Sequence, residues 1–321
     1  MNSSCLACRS EMSRVRPYRT DSRNGRRALG RAWLYECRQC KLVQAAPLPT
    51  PQELADYYAV DYRRGGYYGS DVADASRFPK DNLFYFNRGQ SIAELVSPYV
   101  TRTEPRVLDI GAGYGHILHS FGRRYPNSTR LAIEFSNVCV DHLCAIGVHV
   151  ETDPVEKVLP RREGQFDAVV ISHVLEHLMD PLGVLRMVRR SLVDDGVLFI
   201  EVPNIPADSL TRYPDHVWAP RYDEPHITFF SLDTLRGLLE TAGFRVEFCE
   251  TAGPFYKDIP GWRYRLPAAR WLVQRWMPAR LFHFLRRQSF TKPARVQERE
   301  ESFYQYGGFR IWIRSIARKS Q

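Results

Sequence analysis

Val107-Leu108-Asp109-Ile110-Gly111-Ala112-Gly113-Tyr114-Gly115 is an apolar run that breaks into three glycines at alternate positions. A run of this kind reads as a strand buried on both faces, which a parallel sheet covered by helices provides. The glycines put a tight turn at the carboxyl end of that strand and let its backbone approach a ligand closely, and a helix opens at His116. Strand, glycine turn and helix in this order point to an open α/β sheet. Its ligand crevice lies at the carboxyl ends of the strands, where the strand order reverses.

The rest of the chain agrees. From Arg106 onward, short β-branched runs alternate with helical ones, which predicts strands at Arg106 to Ile110, Thr129 to Glu134, Val148 to Glu151, Phe166 to Ser172, Gly196 to Val202, Phe244 to Glu250 and Gly308 to Ser315. Asp194-Asp195-Gly196 reads as a turn that stops a helix before the fifth strand, and Ser231-Leu232-Asp233-Thr234 starts a helix ending at Ala242-Gly243. The expected fold is α/β, a doubly wound seven-stranded and mostly parallel sheet with a small N-terminal zinc ribbon. The expected division is a zinc-ribbon module over 1–50, a helical cap and linker over 51–104 with a helix over 83–100, a core over 105–253, a basic aromatic helical insertion over 254–307, and the last core strand and tail over 308–321. The cap carries a tyrosine cluster around Gly65-Gly66, which reads as a lid segment.

The N-terminal module is read from its cysteines. Cys5, Cys8, Cys37 and Cys40 form two C-x2-C pairs across a 28-residue spacer. Two thiolates separated by two residues reach one tetrahedral ion from a tight knuckle, and a second knuckle completes a closed shell with no open position, which makes the site structural. A redox pair is the competing reading. Cys139, Cys144 and Cys249 stand alone in apolar surroundings and read as buried thiols.

In the 321-residue chain, 44% of residues are hydrophobic, yet no run approaches the ~18 apolar residues of a membrane helix. The N-terminus has no apolar segment ahead of a small-residue cleavage site, so the expected location is the cytoplasm. The net charge of +9 suits nucleic acid, anionic membrane surfaces or phosphorylated substrates, but all except six of the basic residues are arginine, a bias that base composition alone can produce. The 254–307 insertion sets Trp262, Trp271 and Trp276 among arginines. It reads as a substrate lid packed on the core, or as a peripheral membrane contact.

The glycine turn distinguishes between ligands. A dinucleotide site wants G-x-G-x-x-G, whereas here His116 stands in place of the last glycine. The Asp109 carboxylate faces the turn, where it would repel a pyrophosphate and attract an ammonium. Nineteen residues beyond Gly115, Glu134 ends the second strand, where a carboxylate can accept both hydroxyls of a ribose. Glu134 alone serves any adenosine ligand and does not distinguish a dinucleotide from S-adenosylmethionine, but with Asp109 and a phosphate-poor loop it favours the latter.

Taken together, VLDIGAGYG, the acidic end of LAIEFS, and FDAVVISHVLEHLMDP resemble a class I S-adenosylmethionine-dependent methyltransferase over roughly residues 105–253 plus the last strand. The resemblance implies that Asp109, Gly111 and Gly113 surround the methionine moiety, with Ala112 and Gly115 in the same loop. It also implies that Glu134 binds ribose beside Phe135, that Asp153 meets the adenine amine, and that His173 and Val174 flank the cofactor at the end of the fourth strand.

Methyl transfer from a sulfonium is an in-line displacement, so the protein mainly positions the acceptor, and a base within hydrogen-bond reach completes the site. Tyr222, Glu224 and His226 crowd into five residues after the fifth strand. The segment resembles the Y-x-E-H-x-x-x-F-S run of zinc-containing sugar C-methyltransferases, which also carry an N-terminal cysteine-ligated zinc module, except that Pro225 separates Glu224 from His226. It also resembles a broader bacterial set with W...P-H-x-x-x-F-S, matched here by Trp218, Pro225 and His226. The first resemblance implies catalytic roles for Tyr222, Glu224 and His226. His226 is either acceptor-side or a cap on the Ser231 turn, and His177 is either catalytic or a packing contact.

The expected activity is methyl transfer to a small-molecule acceptor, a sugar or nucleotide-sugar first. A polyketide, peptide or lipid-linked acceptor stands second. Nucleic acid is disfavoured because the fourth strand ends in Ser172-His173-Val174 without the N-P-P-Y type motif for exocyclic amines. A non-catalytic cofactor-binding scaffold is a further alternative.

Overall fold

The computed structural model describes residues 4–18, 31–56, 83–204, 226–252 and 312–320. The tyrosine cluster around Gly65, the candidates Tyr222 and Glu224, and the 254–307 insertion lie outside the described residues.

The N-terminal module is a meander of β1 (Met12–Pro17), β2 (Trp33–Cys37) and β3 (Val43–Ala46), antiparallel throughout. The short α1 (Pro51–Asp56) follows, then α2 (Leu83–Val96) running into a 3-10 turn at Ser97–Tyr99, where one helix was expected over 83–100. The core continues as β4 (Arg106–Ile110), α3 (His116–Arg124), β5 (Thr129–Ile133), α4 (Asn137–Ala145), β6 (His149–Glu151), α5 (Val155–Val158), β7 (Phe166–Ser172), α6 (Pro181–Ser191) and β8 (Leu192–Pro203). Beyond it come β9 (Thr228–Phe229), α7 (Leu232–Thr241), β10 (Phe244–Ala252) and β11 (Trp312–Lys319).

Seven strands form one sheet in the order β10-β11-β8-β7-β4-β5-β6. Only β11 runs antiparallel, to both β10 and β8, and the order reverses between β4 and β7. The doubly wound expectation therefore holds, with the glycine turn after β4 at the switch point. Because successive residues of a strand face opposite sides, each central strand feeds two cores. Leu108, Val169, Ile171, Leu198 and Ile200 pack on one side, while Val107, Ala168, Val170, Val197 and Phe199 pack on the other with Ile92, Leu118 and Phe121.

Three local expectations need correction. Asp194-Asp195-Gly196 lies within β8: the helix ends at Ser191, and the pairing jumps from Phe166–Leu192 to Ala168–Val197, so the turn residues are taken up as a bulge. The last strand runs on to Lys319, past the expected end at Ser315, and is described from Trp312, residues 308–311 lying outside the described residues. Of the three isolated cysteines, Cys139 is buried but Cys144 is exposed and Cys249 partly so. Cys144 falls in the last turn of α4, on its solvent side.

Helix α7 begins where the sequence placed it. Ser231 and Thr234 make a reciprocal capping box, and Gly243 closes its end with φ +87°.

The meander and the core share one interior. Thr228–Phe229 adds β9 to β3 as a fourth strand, and Cys5, Ala7, Met12, Cys37 and Leu42 belong to the same apolar cluster as Leu108 and Phe230. A chain segment that leaves β8 thus returns to the module before entering α7.

Candidate active site

The glycine turn is built for close approach. Gly111, Gly113 and Gly115 all adopt positive φ, at 73°, 53° and 74°. A Cβ on Gly111 would collide with Val174 Cγ2, so the loop after β4 packs directly on the loop after β7. The Gly111 N–H donates to the Ile133 oxygen at 2.8 Å, tying the turn to β5.

Two carboxylates flank this turn. Asp109 is buried, and neither of its oxygens accepts a hydrogen bond among the described residues. Burial pushes its carboxyl up to about 8, Arg88 opposes the shift and Glu134 adds to it. Glu134, just past the end of β5, accepts from the Gly113 N–H at 2.8 Å through Oε2, and from Phe135 and Ser136 N–H at 2.8 and 2.9 Å through Oε1. Glu134 therefore braces the turn from outside, and three of its roughly four acceptor positions are used. Phe135 is 51% exposed beside it, the one large hydrophobic side chain so exposed among the described residues. Asp153 is exposed after β6 and pairs with Arg161 at 3.3 Å.

At the ends of β7 and β8 the charges are denser. His173 holds a left-handed φ of 56°, and its N–H donates to the Glu201 oxygen at 2.8 Å. Its ring sits with Nδ1 3.4 Å from Glu176 Oε1 and Nε2 3.5 Å from Glu201 Oε1. Burial and Arg88 oppose a charge there, but the two carboxylates outweigh them and hold His173 above the ordinary imidazole range. Glu201 is fully buried on β8 and receives Arg88 Nε at 2.6 Å and the Arg314 guanidinium from β11. Burial alone would raise Glu201, yet Arg314 and then Arg88 hold it well below the usual carboxylate range. Trp312 meets the His173 ring edge-on at 5.6 Å.

Glu176 and His177 lie in a 3-10 turn, Leu175–His177, directly after β7. The Ile227 N–H donates to the Glu176 oxygen at 2.7 Å, and this main-chain bond brings His226 over the turn. The His177 and His226 rings meet edge-on at 4.8 Å. The Glu176 side chain is 1% exposed. Its burial is countered by His173, His177 and His226, which together lower its carboxyl to about 2. Of the four residues read as catalytic, the structure thus brings His177 and His226 together. Tyr222 and Glu224 lie outside the described residues.

Sequence reasoning passed over Arg88, Glu176, Glu201, Trp312 and Arg314. The signal was present: Glu201 stands between Ile200 and Val202 and Arg314 follows Trp312-Ile313, a buried charge of each sign inside the apolar stretches of two strands. A lone buried charge demands a partner, and these two residues sit opposite each other in the β8–β11 register.

The cysteines converge as their spacing predicts. Cys5 Sγ lies 3.5 Å from Cys40 Sγ, and Cys8 Sγ 3.4 Å from Cys37 Sγ, with all four sulfurs within 4.8 Å of one another. The two knuckles repeat one backbone pattern. In the first, the Cys5 N–H donates to Ser10 and Arg9 donates back to Cys5; in the second, the Cys37 N–H donates to Leu42 and Lys41 donates back to Cys37. Arg9 and Lys41 both turn at φ 63°. Four soft thiolates at near-tetrahedral spacing suit a zinc ion, whose ~2.3 Å bonds put sulfurs about 3.8 Å apart.

A family model described as a methyltransferase domain matches residues 83–247, a little over half of the chain. The chain belongs to this methyltransferase family. The matched span runs from α2 into β10 and contains both the glycine turn and the Glu176–His226 group. Among curated relatives, a ubiquinone biosynthesis O-methyltransferase of Xanthomonas axonopodis pv. citri is 28% identical over 186 residues, covering 54% of this chain and 74% of that one. One from Xanthomonas oryzae pv. oryzae is 31% identical over 115 residues, covering 35% and 48%. The chain thus spans about half the length of several relatives it matches. Among solved structures, a Burkholderia thailandensis 1,6-didemethyltoxoflavin-N1-methyltransferase bound to S-adenosylhomocysteine shares the fold at 16% identity and TM-score 0.52, covering 96% of this chain and 100% of that one. The methyltransferase uses S-adenosylmethionine, and the residues around the turn fit it. Among the described residues no donor meets the buried Asp109 carboxylate, which would suit an ammonium, Glu134 keeps an acceptor position for a hydroxyl, and Phe135 offers an exposed ring. Among the described residues no helix is long and apolar enough to cross a membrane.

Proposed function

We propose that this methyltransferase moves the methyl group of S-adenosylmethionine to a hydroxyl oxygen of a small molecule, the acceptor being bound over His177 and His226. S-adenosylmethionine, when bound, supplies a methyl carbon made electrophilic by a sulfonium. The chain's own residues do the rest. Asp109 holds the ammonium of the methionine end, Gly111, Ala112, Gly113 and Gly115 shape its cradle, and Glu134 holds the ribose. Phe135 stacks on the adenine and Asp153 meets its amine. His173 and Val174 form the floor between cofactor and acceptor. One imidazole of the His177–His226 pair would take the proton of the acceptor hydroxyl as its oxygen bonds the methyl carbon and S-adenosylhomocysteine leaves, and the likeness of the 222–226 segment gives Tyr222 and Glu224 a part in this step. The four cysteines hold a structural zinc ion.

The observation that carries this reading is the packing of the glycine turn on the loop after β7, Gly111 against Val174, with the His177 and His226 rings meeting at 4.8 Å over the turn that follows. A sugar or nucleotide-sugar acceptor rests on the likeness of the 222–231 segment and the cysteine module to zinc-containing sugar methyltransferases. A phenolic lipid acceptor rests on the curated relatives, whose names give O-methylation in ubiquinone biosynthesis. Peripheral membrane contact through 254–307 would suit the second acceptor.

A test uses methyl-labelled cofactor with a panel of nucleotide-sugars and of polyhydroxylated phenols. Label should enter a hydroxyl of one class, and His226→Ala should lower kcat by about 10²–10⁴ while S-adenosylhomocysteine still binds. Wild-type turnover in that variant would remove His226 from the acceptor side.

A further inference from the structure

We infer that His173 is a positioning residue: its imidazolium, fixed between Glu176 and Glu201, occupies the buried carboxylate that the His177–His226 pair also faces, and so leaves that pair uncharged and able to take a proton. The inference deepens the reading above and rests on it for its purpose.

The geometry starts from the backbone. His173 turns at φ 56°, a conformation that a non-glycine residue keeps only where its surroundings hold it, and the bond from its N–H to the Glu201 oxygen supplies that hold from β8. Turned this way, the ring meets a carboxylate at each nitrogen, with Nδ1 3.4 Å from Glu176 Oε1 and Nε2 3.5 Å from Glu201 Oε1. A neutral imidazole would present a lone pair to one of these oxygens, whereas the doubly protonated ring suits both.

The two carboxylates are not equivalent. Glu201 is paired with the Arg88 and Arg314 guanidiniums, so it stays charged with or without His173. No guanidinium pairs with Glu176 among the described residues. Its Oε1 lies 3.4 Å from His173 Nδ1 and 4.0 Å from His177 Nε2, and the His226 ring meets that of His177 at 4.8 Å. Three imidazoles thus share one buried carboxylate, which balances one proton. His173 approaches it most closely and has Glu201 behind it, so the proton settles there although burial and Arg88 oppose a charge. Among the described residues, the charged groups facing His173 are Glu176, Glu201 and Arg88, with Arg314 beyond Glu201, and those facing the pair are Glu176 and His173. His177 and His226 therefore meet a carboxylate already neutralised, and a second positive charge beside it would repel the first. A base must be neutral before it takes the acceptor's proton, so the charge on His173 serves that step without carrying the proton itself.

The full chain, labelled in its histidine rings, is titrated by nuclear magnetic resonance, with His173→Asn, His177→Gln and His226→Gln assigning the three rings. In the wild-type chain at pH 7, His173 is expected with both nitrogens protonated, and His177 and His226 with one each. Asparagine tolerates the left-handed backbone, and in His173→Asn the pair should gain proton affinity by about 10- to 100-fold, its midpoint rising by about 1–2 pH units. Adding Glu176→Gln should remove that rise, and the acid limb of kcat against pH should move with the midpoint. Melting checks that each variant folds, and the wild-type spectrum decides alone if His173→Asn does not. A neutral His173 ring at pH 7 in the wild-type chain, or an unshifted or lowered midpoint in folded His173→Asn, overturns the inference. Methyl transfer to a hydroxyl with an unshifted midpoint would leave the proposed function standing and this inference overturned; the shift without methyl transfer to any hydroxyl would do the reverse.

Discussion

The hydroxyl of Tyr18, at the end of β1, donates to the main-chain oxygen of His226 across 208 positions of sequence. Beside it the Tyr18 ring packs on Phe229 at 6.2 Å, and the Ala45 N–H donates to the Ile227 oxygen at 2.8 Å. The cysteine module therefore packs against the segment that carries His226, and metal at the four cysteines would support the position of His226.

Removing that metal should loosen this packing before the cofactor side. Metal-free protein, prepared by chelation, is expected to gain hydrogen exchange at Ile227, Thr228 and Phe229, while the β4 amides stay protected. Tyr18→Phe should reproduce the change weakly, at about 1 kcal/mol for one lost hydrogen bond. Equal exchange with and without metal would detach the module from the site.

Asp109 predicts a proton count. Its carboxyl, pushed up to about 8 by burial, is largely protonated at pH 7 in the free protein. An ammonium beside it favours the charged form, so binding of S-adenosylhomocysteine at pH 7 should release up to one proton. Calorimetry in two buffers of different ionisation enthalpy reads that number, and Asp109→Asn should abolish it. The same shift has a stability sign. A folded value above the unfolded one means stability is full below about pH 4 and is lost as pH rises through about 8, so Asp109→Asn should flatten this decline. Proton uptake on binding would contradict the assignment.

Gly111 tests the turn. Alanine there meets both a positive φ and the Val174 side chain, so Gly111→Ala should cost roughly 1–3 kcal/mol in denaturant unfolding and abolish cofactor binding. A variant of wild-type stability would show that the two loops do not pack as described.

The fold was legible where one physical signal dominated. Arg106–Ile110 and Phe166–Ser172 are apolar runs bounded by turn residues, and both strands begin and end where that pattern does. Ser231 declared its helix through capping chemistry that depends on four adjacent residues. Boundaries slipped where tertiary pairing overrode local preference. β8 starts at Leu192, through an Asp-Asp-Gly turn, because Phe166 offers it a partner. β11 extends to Lys319 because β10 pairs with it along its whole length.

The site divided in the same way. The Asp109 to Gly115 turn and the Cys5 and Cys37 knuckles are contiguous, so spacing announced them. The Arg88–Glu201–Arg314 cluster joins three elements over more than two hundred residues, and only the sheet order brings it together. Glu176 looked like the neighbour of a histidine until the return of Ile227 enclosed it.

The most direct test of the account is calorimetric titration of the full chain with S-adenosylhomocysteine, beside NAD and beside Glu134→Ala. Stoichiometric binding of the first ligand alone, weakened at least about tenfold by losing one charged hydrogen-bond acceptor, is the predicted result. Binding of NAD with equal affinity, or no binding of S-adenosylhomocysteine by a folded, zinc-loaded chain, would contradict the account.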